Sequence, residues 1–283
     1  MSGAPRHGAA RLCLTAAAFA GLLALLLPLL LAQALHTRRT ALRLPEAEGP
    51  QQGICPASDP APGADIASAP PFHCLIIGES PVAGVGVTHQ AQGIGPALAA
   101  PLARLLRRPL HWQCHGRNGL RLRDLLAAPL PDDLPDTPPP DLILVMMGVN
   151  DTTGLTGLRT WRRQLTALIR LLCARTGLPP QALAFAPVPP MHRFSALPQP
   201  LRAVVGLRAY LLNETLGRIC LAEGCLLPDY GNLTEPAFLA EDGYHPSASG
   251  FQAMGERLAT QLFPAIEKLP DLSQSEPVGG MQC

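Results

Sequence analysis

From Phe72 to about Leu262 the chain alternates short apolar runs with stretches of helical periodicity. Cys74 to Ile77, His111 to His115, Asp141 to Met147, Leu183 to Val188 and Cys225 to Pro228 read as five strands. The run Leu142-Ile143-Leu144-Val145-Met146 shows no polar alternation, so both faces of that strand are expected to be covered. Ile94 to Arg107, Leu120 to Ala127, Arg159 to Thr176 and Leu201 to Glu223 read as helices. In the third of these, Trp161, Leu165, Leu168, Ile169 and Leu172 fall on one face. A closing helix continues to about Leu262, with Ser247 or Ser249 as its cap. This alternation predicts an α/β fold with a parallel sheet covered on both faces. Ligand chemistry in such sheets gathers at the carboxyl ends of the strands.

The flanks follow other patterns. No charged residue occurs from Leu12 to Leu35, and Leu22 to Leu31 is nearly all leucine. About 20 apolar residues suffice for a helix to span a hydrocarbon core. Residues 1–35 are therefore expected to be a membrane anchor or signal segment, with the membrane met through residues 12–35. Ala32-Gln33-Ala34 resembles a cleavage site, whereas the Arg38-Arg39 pair just downstream favours an uncleaved anchor. Arginines on both sides leave the orientation open. Residues 36–71 read as a flexible linker rich in Pro and Ala, 72–268 as the folded domain and 269–283 as a loose tail.

Composition narrows the function classes. With 283 residues, a net charge of +1 and no basic block, a nucleic-acid partner is not expected. Lys268 is the only lysine, and aromatics make up 4% of the chain, which leaves the core to Leu, Val, Ile and Ala. None of the eight cysteines has metal-ligand spacing with a matching pair, so a bound metal is not expected. Cys220 and Cys225 are close enough to pair, or else serve as small buried apolar groups.

Four points beside predicted strand ends together supply what acyl transfer needs. Ser80, in Gly78-Glu79-Ser80, is a candidate nucleophile, and it lacks the Gly-x-Ser-x-Gly elbow because Val82 occupies the second glycine position. Asp242 and His245, three residues apart before the closing helix, can form a base with its orienting carboxylate. Asn150, in Gly148-Val149-Asn150-Asp151, and Gly119 are candidate oxyanion donors, with Gly116 the alternative glycine. Met191, Phe194 and Leu197, in the Pro-rich loop from Pro187 to Pro200, are candidate contacts for an acyl chain or equally core cover.

In order and spacing these blocks resemble the SGNH hydrolases, the GDSL-type esterases and lipases, and are similar to bacterial lysophospholipase-L1-like esterases. The resemblance covers about Cys74 to Leu262, and the Gly-x-Asn-Asp and Asp-x-x-His blocks match fully. It implies a three-layer α/β/α sandwich with a flavodoxin-like five-stranded parallel sheet, and no cofactor. It also implies Ser80 as nucleophile, His245 as general base, Asp242 as its orienter, and an oxyanion hole from Ser80, Gly119 and Asn150. The expected reaction is hydrolysis of carboxylic esters (acyl, lysophospholipid-like or acetyl) through an acyl-enzyme; an acyltransferase or a silent lipid- or glycan-binding protein is the alternative. With the apolar N-terminus it implies a monomeric catalytic domain at the bacterial cell envelope, anchored in the inner membrane and facing outward, or secreted if cleaved. Its partners are expected to be a small-molecule, lipid or glycan ester and the membrane. One residue departs from the pattern: Glu79 stands where the family usually has Asp.

Overall fold

The computed structural model describes residues 21, 25–57, 70–127 and 139–269. Residues 25–40 are helical (α1), followed by β1 (Gln52–Cys55), β2 (Phe72–Gly78), α2 (Ile94–Leu106), β3 (Leu110–Gly116) and α3 (Leu122–Ala127). β4 (Leu142–Met146), α4 (Val149–Thr153), α5 (Leu158–Thr176), β5 (Leu183–Ala186), α6 (Leu201–Glu223) and α7 (Ala248–Ile266) complete the order. The sheet runs β1-β3-β2-β4-β5. β2, β3, β4 and β5 are mutually parallel, and β1 pairs antiparallel with β3.

Both faces of the sheet are buried at its centre because β2, β4 and β5 are almost wholly apolar. Along β2 and β4, Leu75, Ile77, Ile143 and Val145 point into one core with Trp161, Leu165 and Leu212. Their neighbours Cys74, Ile76, Leu142 and Leu144 point into the other, with Leu98 of α2 and Phe251 and Leu258 of α7. This two-residue alternation between faces creates three layers, with α3, α5 and α6 on one side and α2 and α7 on the other. Each fully buried Leu or Ile contributes about 1.5–3 kcal/mol. On α5, the five residues of the predicted stripe are the buried ones, and Gly177 at φ 74° ends the helix in the left-handed region.

The sheet corrects the expectation of five parallel strands. Cys225 to Pro228 forms only a single parallel bridge, Leu226 to Ala184, at the edge of β5. The fifth strand is β1, from the stretch expected to be a linker. Its residues alternate between exposed and half-buried, as befits an edge strand held by pairing rather than by its own apolar content. Ala47 N–H donates to Ala83 O (3.0 Å), Glu48 N–H to Thr88 O (3.0 Å) and Gln90 N–H to Glu48 O (2.8 Å), so residues 47–48 are also tied to the domain.

Of the expected membrane segment, residues 12–20 and 22–24 lie outside the described residues. The remainder belongs to α1, in which Leu25, Leu27, Leu29, Leu31 and Leu35 are exposed. Among the described residues, no helix is long and apolar enough to cross a membrane. The tail from residue 270 lies outside the described residues, whereas Leu269 packs against both cores. Cys220 and Cys225 are free thiols, and the Cys225 N–H donates to Cys220 O at the end of α6.

Candidate active site

The first parallel strand, β2, lies between β3 and β4, so the chain leaves it toward opposite sides of the sheet. This is the switch point where a crevice opens at the carboxyl ends of the strands. After β2, Glu79 N–H reaches Met146 O (3.1 Å), and Val82 and Ala83 N–H both donate to Glu79 O (2.9 and 3.2 Å). This turn sets Ser80, 5% exposed, at the head of the crevice.

The Asp242–His245 loop leads into α7. Ser247 caps that helix by accepting from Gly250 N–H (3.2 Å), which fixes the chain entering it. Asp242 Oδ1 accepts from the N–H groups of Tyr244 (2.9 Å) and His245 (3.0 Å), and Oδ2 lies 2.6 Å from His245 Nδ1. His245 Nε2 lies 2.9 Å from Ser80 Oγ. The carboxylate thus holds the Nδ1–H tautomer and turns the Nε2 lone pair toward the hydroxyl. Burial pushes the Asp242 carboxyl upward, but hydrogen bonds from the His245 ring, the backbone of His245 and Tyr244, and the imidazole charge hold it below the ordinary value of 3.8. Asp242 therefore remains an anion and an acceptor.

Gly86 allows this meeting. It sits at φ +111°, and a Cβ there would lie 2.2 Å from Pro246 O and 3.2 Å from His245 Cβ. Any side chain at this position would push the histidine loop off the serine turn.

Asn150 is set by the residue before the serine. Buried Glu79 accepts from Val149 N–H (2.8 Å), Asn150 N–H (3.0 Å) and Asn150 Nδ2–H (2.6 Å). One Nδ2 hydrogen is held by the carboxylate, which leaves the second available to the crevice. Burial raises the Glu79 carboxyl from 4.5 to about 7, even though these three hydrogen bonds pull it down. Neighbouring Asp151 serves the scaffold instead. Its carboxylate accepts from Leu122 N–H (2.9 Å) and Thr156 Oγ–H (2.7 Å), tying α4 to α3.

Gly119 lies in the turn after β3 at φ +79° with open space around its Cα, and its neighbour Asn118 lines the cavity. Gly116, the other candidate, is pressed against the serine turn: a Cβ there would lie 2.2 Å from Ala83 N, so packing accounts for that glycine. Among the described residues, the N–H groups of Ser80 and Gly119 donate to no backbone carbonyl.

Ser80, Asn150, Asp242 and His245 open into one cavity of about 330 Å³. Met191, Phe194 and Leu197 line it and are themselves buried, so the structure brings them to the same site. Among the described residues, no cluster of His, Cys, Asp or Glu is placed to hold a metal ion. Sequence reasoning did not anticipate the Glu79 clamp, or Thr37, Ala41 and Leu42, which also line the cavity. The only sequence signal for the clamp was a carboxylate one residue before the serine.

Residues 76–253 match the model of the GDSL-like lipase/acylhydrolase family. The chain belongs to that family. It is 26% identical over 207 residues to the GDSL-like esterase Rv1075c of Mycobacterium tuberculosis, which covers 71% of the chain and 64% of that relative. The family fold recurs in a G-D-S-L protein from Desulfitobacterium hafniense (TM-score 0.54, 14% identity, 67% of this chain and 98% of that one). It recurs also in the psychrotrophic esterase EstA of a Pseudoalteromonas species (TM-score 0.52, 14% identity, 69% and 99%). The GDSL-like region begins at residue 76, so α1 and β1 lie outside it.

Proposed function

We propose that this chain is a serine esterase that hydrolyses carboxylic esters through an acyl-enzyme on Ser80. The observation that carries the reading is the continuous relay from Asp242 through His245 to Ser80, with contacts of 2.6 and 2.9 Å. Ser80 Oγ attacks the ester carbon as its proton passes to His245 Nε2. The developing oxyanion is met by the N–H groups of Ser80 and Gly119 and by the free Nδ2–H of Asn150. On collapse, the carbon–oxygen bond to the leaving alcohol breaks and His245 returns the proton to that oxygen. A water deprotonated by His245 then attacks the acyl carbon, releasing the acid and restoring Ser80.

The test is hydrolysis of p-nitrophenyl acetate and butyrate by the full chain. Ser80→Ala is expected to lower turnover by at least about 10³-fold. Equal turnover in the two proteins would overturn the mechanism. We also propose that residues 12–35 hold the enzyme at a bacterial envelope membrane, because that run is free of charge. Flotation of the full chain with phospholipid vesicles, lost on deletion of those residues, is the expected result.

A further inference from the structure

We propose that α1 and the residues just after it form one wall of the acyl-binding cavity, and that the substrate carries an acyl chain long enough to reach that wall. The inference rests on the esterase reading and deepens it to a substrate class, esters of medium or long acyl chains. Leu26, Leu30, Gln33, Thr37 and Ala41 are the half-buried positions between residues 25 and 41, and their spacing of three or four residues makes one helical face. That face is turned to the protein. Gln33 Nε2–H donates to Gln199 O (2.6 Å), and Gln33 Oε1 accepts from Leu201 N–H (3.1 Å).

Thr37, Ala41 and Leu42 line the cavity that holds Ser80. The lining also includes Met191, Phe194 and Leu197, a second wall from the loop whose end Gln33 grips. The two walls are therefore tied to each other. Further along, Glu46 Oε1 accepts from Asn118 N–H (2.6 Å), and residues 47 and 48 join the turns at Ala83 and Thr88. A segment outside the family-matched region is thus built into the site. Among the described residues no lysine or arginine lines the cavity, and its walls are mainly Leu, Met, Val, Pro and Phe. Such a lining suits a hydrocarbon chain and offers no cation to an anionic or phosphorylated group.

The experiment measures kcat/KM of the full chain for p-nitrophenyl acetate, butyrate, octanoate and dodecanoate. The wild type is expected to prefer octanoate over acetate by at least about tenfold. Ala41→Trp fills the cavity side of the wall and should lower that ratio by about tenfold or more. Leu42→Ser, at a position 51% exposed and so tolerant of change, should lower it by about threefold. Leu221→Ala, at a position 86% exposed on α6, should leave the ratio as it is. A wild type without preference for the longer chain would overturn the proposal. So would an unaltered ratio in both wall variants, given thermal melts like the wild type. Acetate hydrolysis that survives Ser80→Ala would sink the esterase reading itself; hydrolysis that needs Ser80 but ignores the wall would sink only this inference.

Discussion

Glu79→Gln probes the one residue at which this chain departs from the usual family block. The carboxylate takes three hydrogen bonds, at 2.8, 3.0 and 2.6 Å, from Val149 N–H and from the backbone and side chain of Asn150. Glutamine keeps one acceptor oxygen and turns an NH₂ toward the remaining donors. A hydrogen bond to a charged group contributes about 1.5–3 kcal/mol, so freeing Asn150 costs about that much in positioning. One such bond is worth about 10- to 150-fold in rate, and outright removal of an oxyanion donor costs about 10²–10³. We therefore expect kcat to fall about 10- to 100-fold with KM little changed, while Glu79→Asp, which keeps the charge, stays closer to the wild type. If Glu79 acts through Asn150, Glu79→Gln combined with Asn150→Ala loses no more than Asn150→Ala alone. Multiplicative losses in the double variant would refute the clamp.

Acidity gives the same residue a second readout. Because its carboxyl rises from 4.5 to about 7 on folding, the folded protein holds a proton that the unfolded chain has released. Stability contributed by protonated Glu79 is thus present below about pH 4.5 and lost as pH rises through about 7, a change of about 3 kcal/mol. The ionised clamp is the form that accepts all three bonds, so activity should fall as pH drops through about 7. Thermal melts and kcat profiles from pH 5 to 8 should both lose this component in Glu79→Gln.

Asp242→Asn leaves the loop geometry near intact but offers the imidazole the wrong tautomer, and kcat should fall by about 10³–10⁴ at neutral pH. Steady-state kinetics check it; a loss under tenfold would separate Asp242 from the reaction. Gly86→Ala should displace the His245 loop and lower kcat by about 10²-fold, because even about 1 Å of misplacement has that effect. Wild-type kinetics in that variant would contradict the close approach. Glu46→Gln weakens the bond to Asn118 N–H beside the Gly119 turn, and kcat should fall about three- to tenfold with unaltered melting temperature.

Much of this arrangement is legible in the sequence, for identifiable reasons. β2 and β4 announce themselves because both of their faces are buried, and the α5 stripe because five apolar residues repeat at helical spacing. The Asp242–His245 pair can be found because its geometry is local, spanning three residues. Partners that meet only through the fold are harder to read. β1 contains Gln52 and Gly53 and owes its strand form to pairing with Trp112 and Gln113. Leu226 makes a single bridge, to Ala184 of β5, although the run from Cys225 to Pro228 reads as a strand. The Glu79 clamp spans 70 residues of sequence, and the wall from Ala41 and Leu42 meets the serine only through tertiary packing. α1 continues through Arg38 and Arg39 to residue 40, into the stretch whose Pro- and Ala-rich composition had suggested a linker.

Whether Ser80 is the nucleophile can be read from a single covalent event, its reaction with a p-nitrophenyl alkylphosphonate. Attack by Ser80 forms an Oγ–phosphorus bond and expels p-nitrophenolate, with no water step to follow. We expect release of about one equivalent of p-nitrophenolate per chain, with the phosphonyl mass on the peptide bearing Ser80 and no adduct in Ser80→Ala. A stoichiometric adduct on another residue, or one that persists in Ser80→Ala, would contradict the assignment.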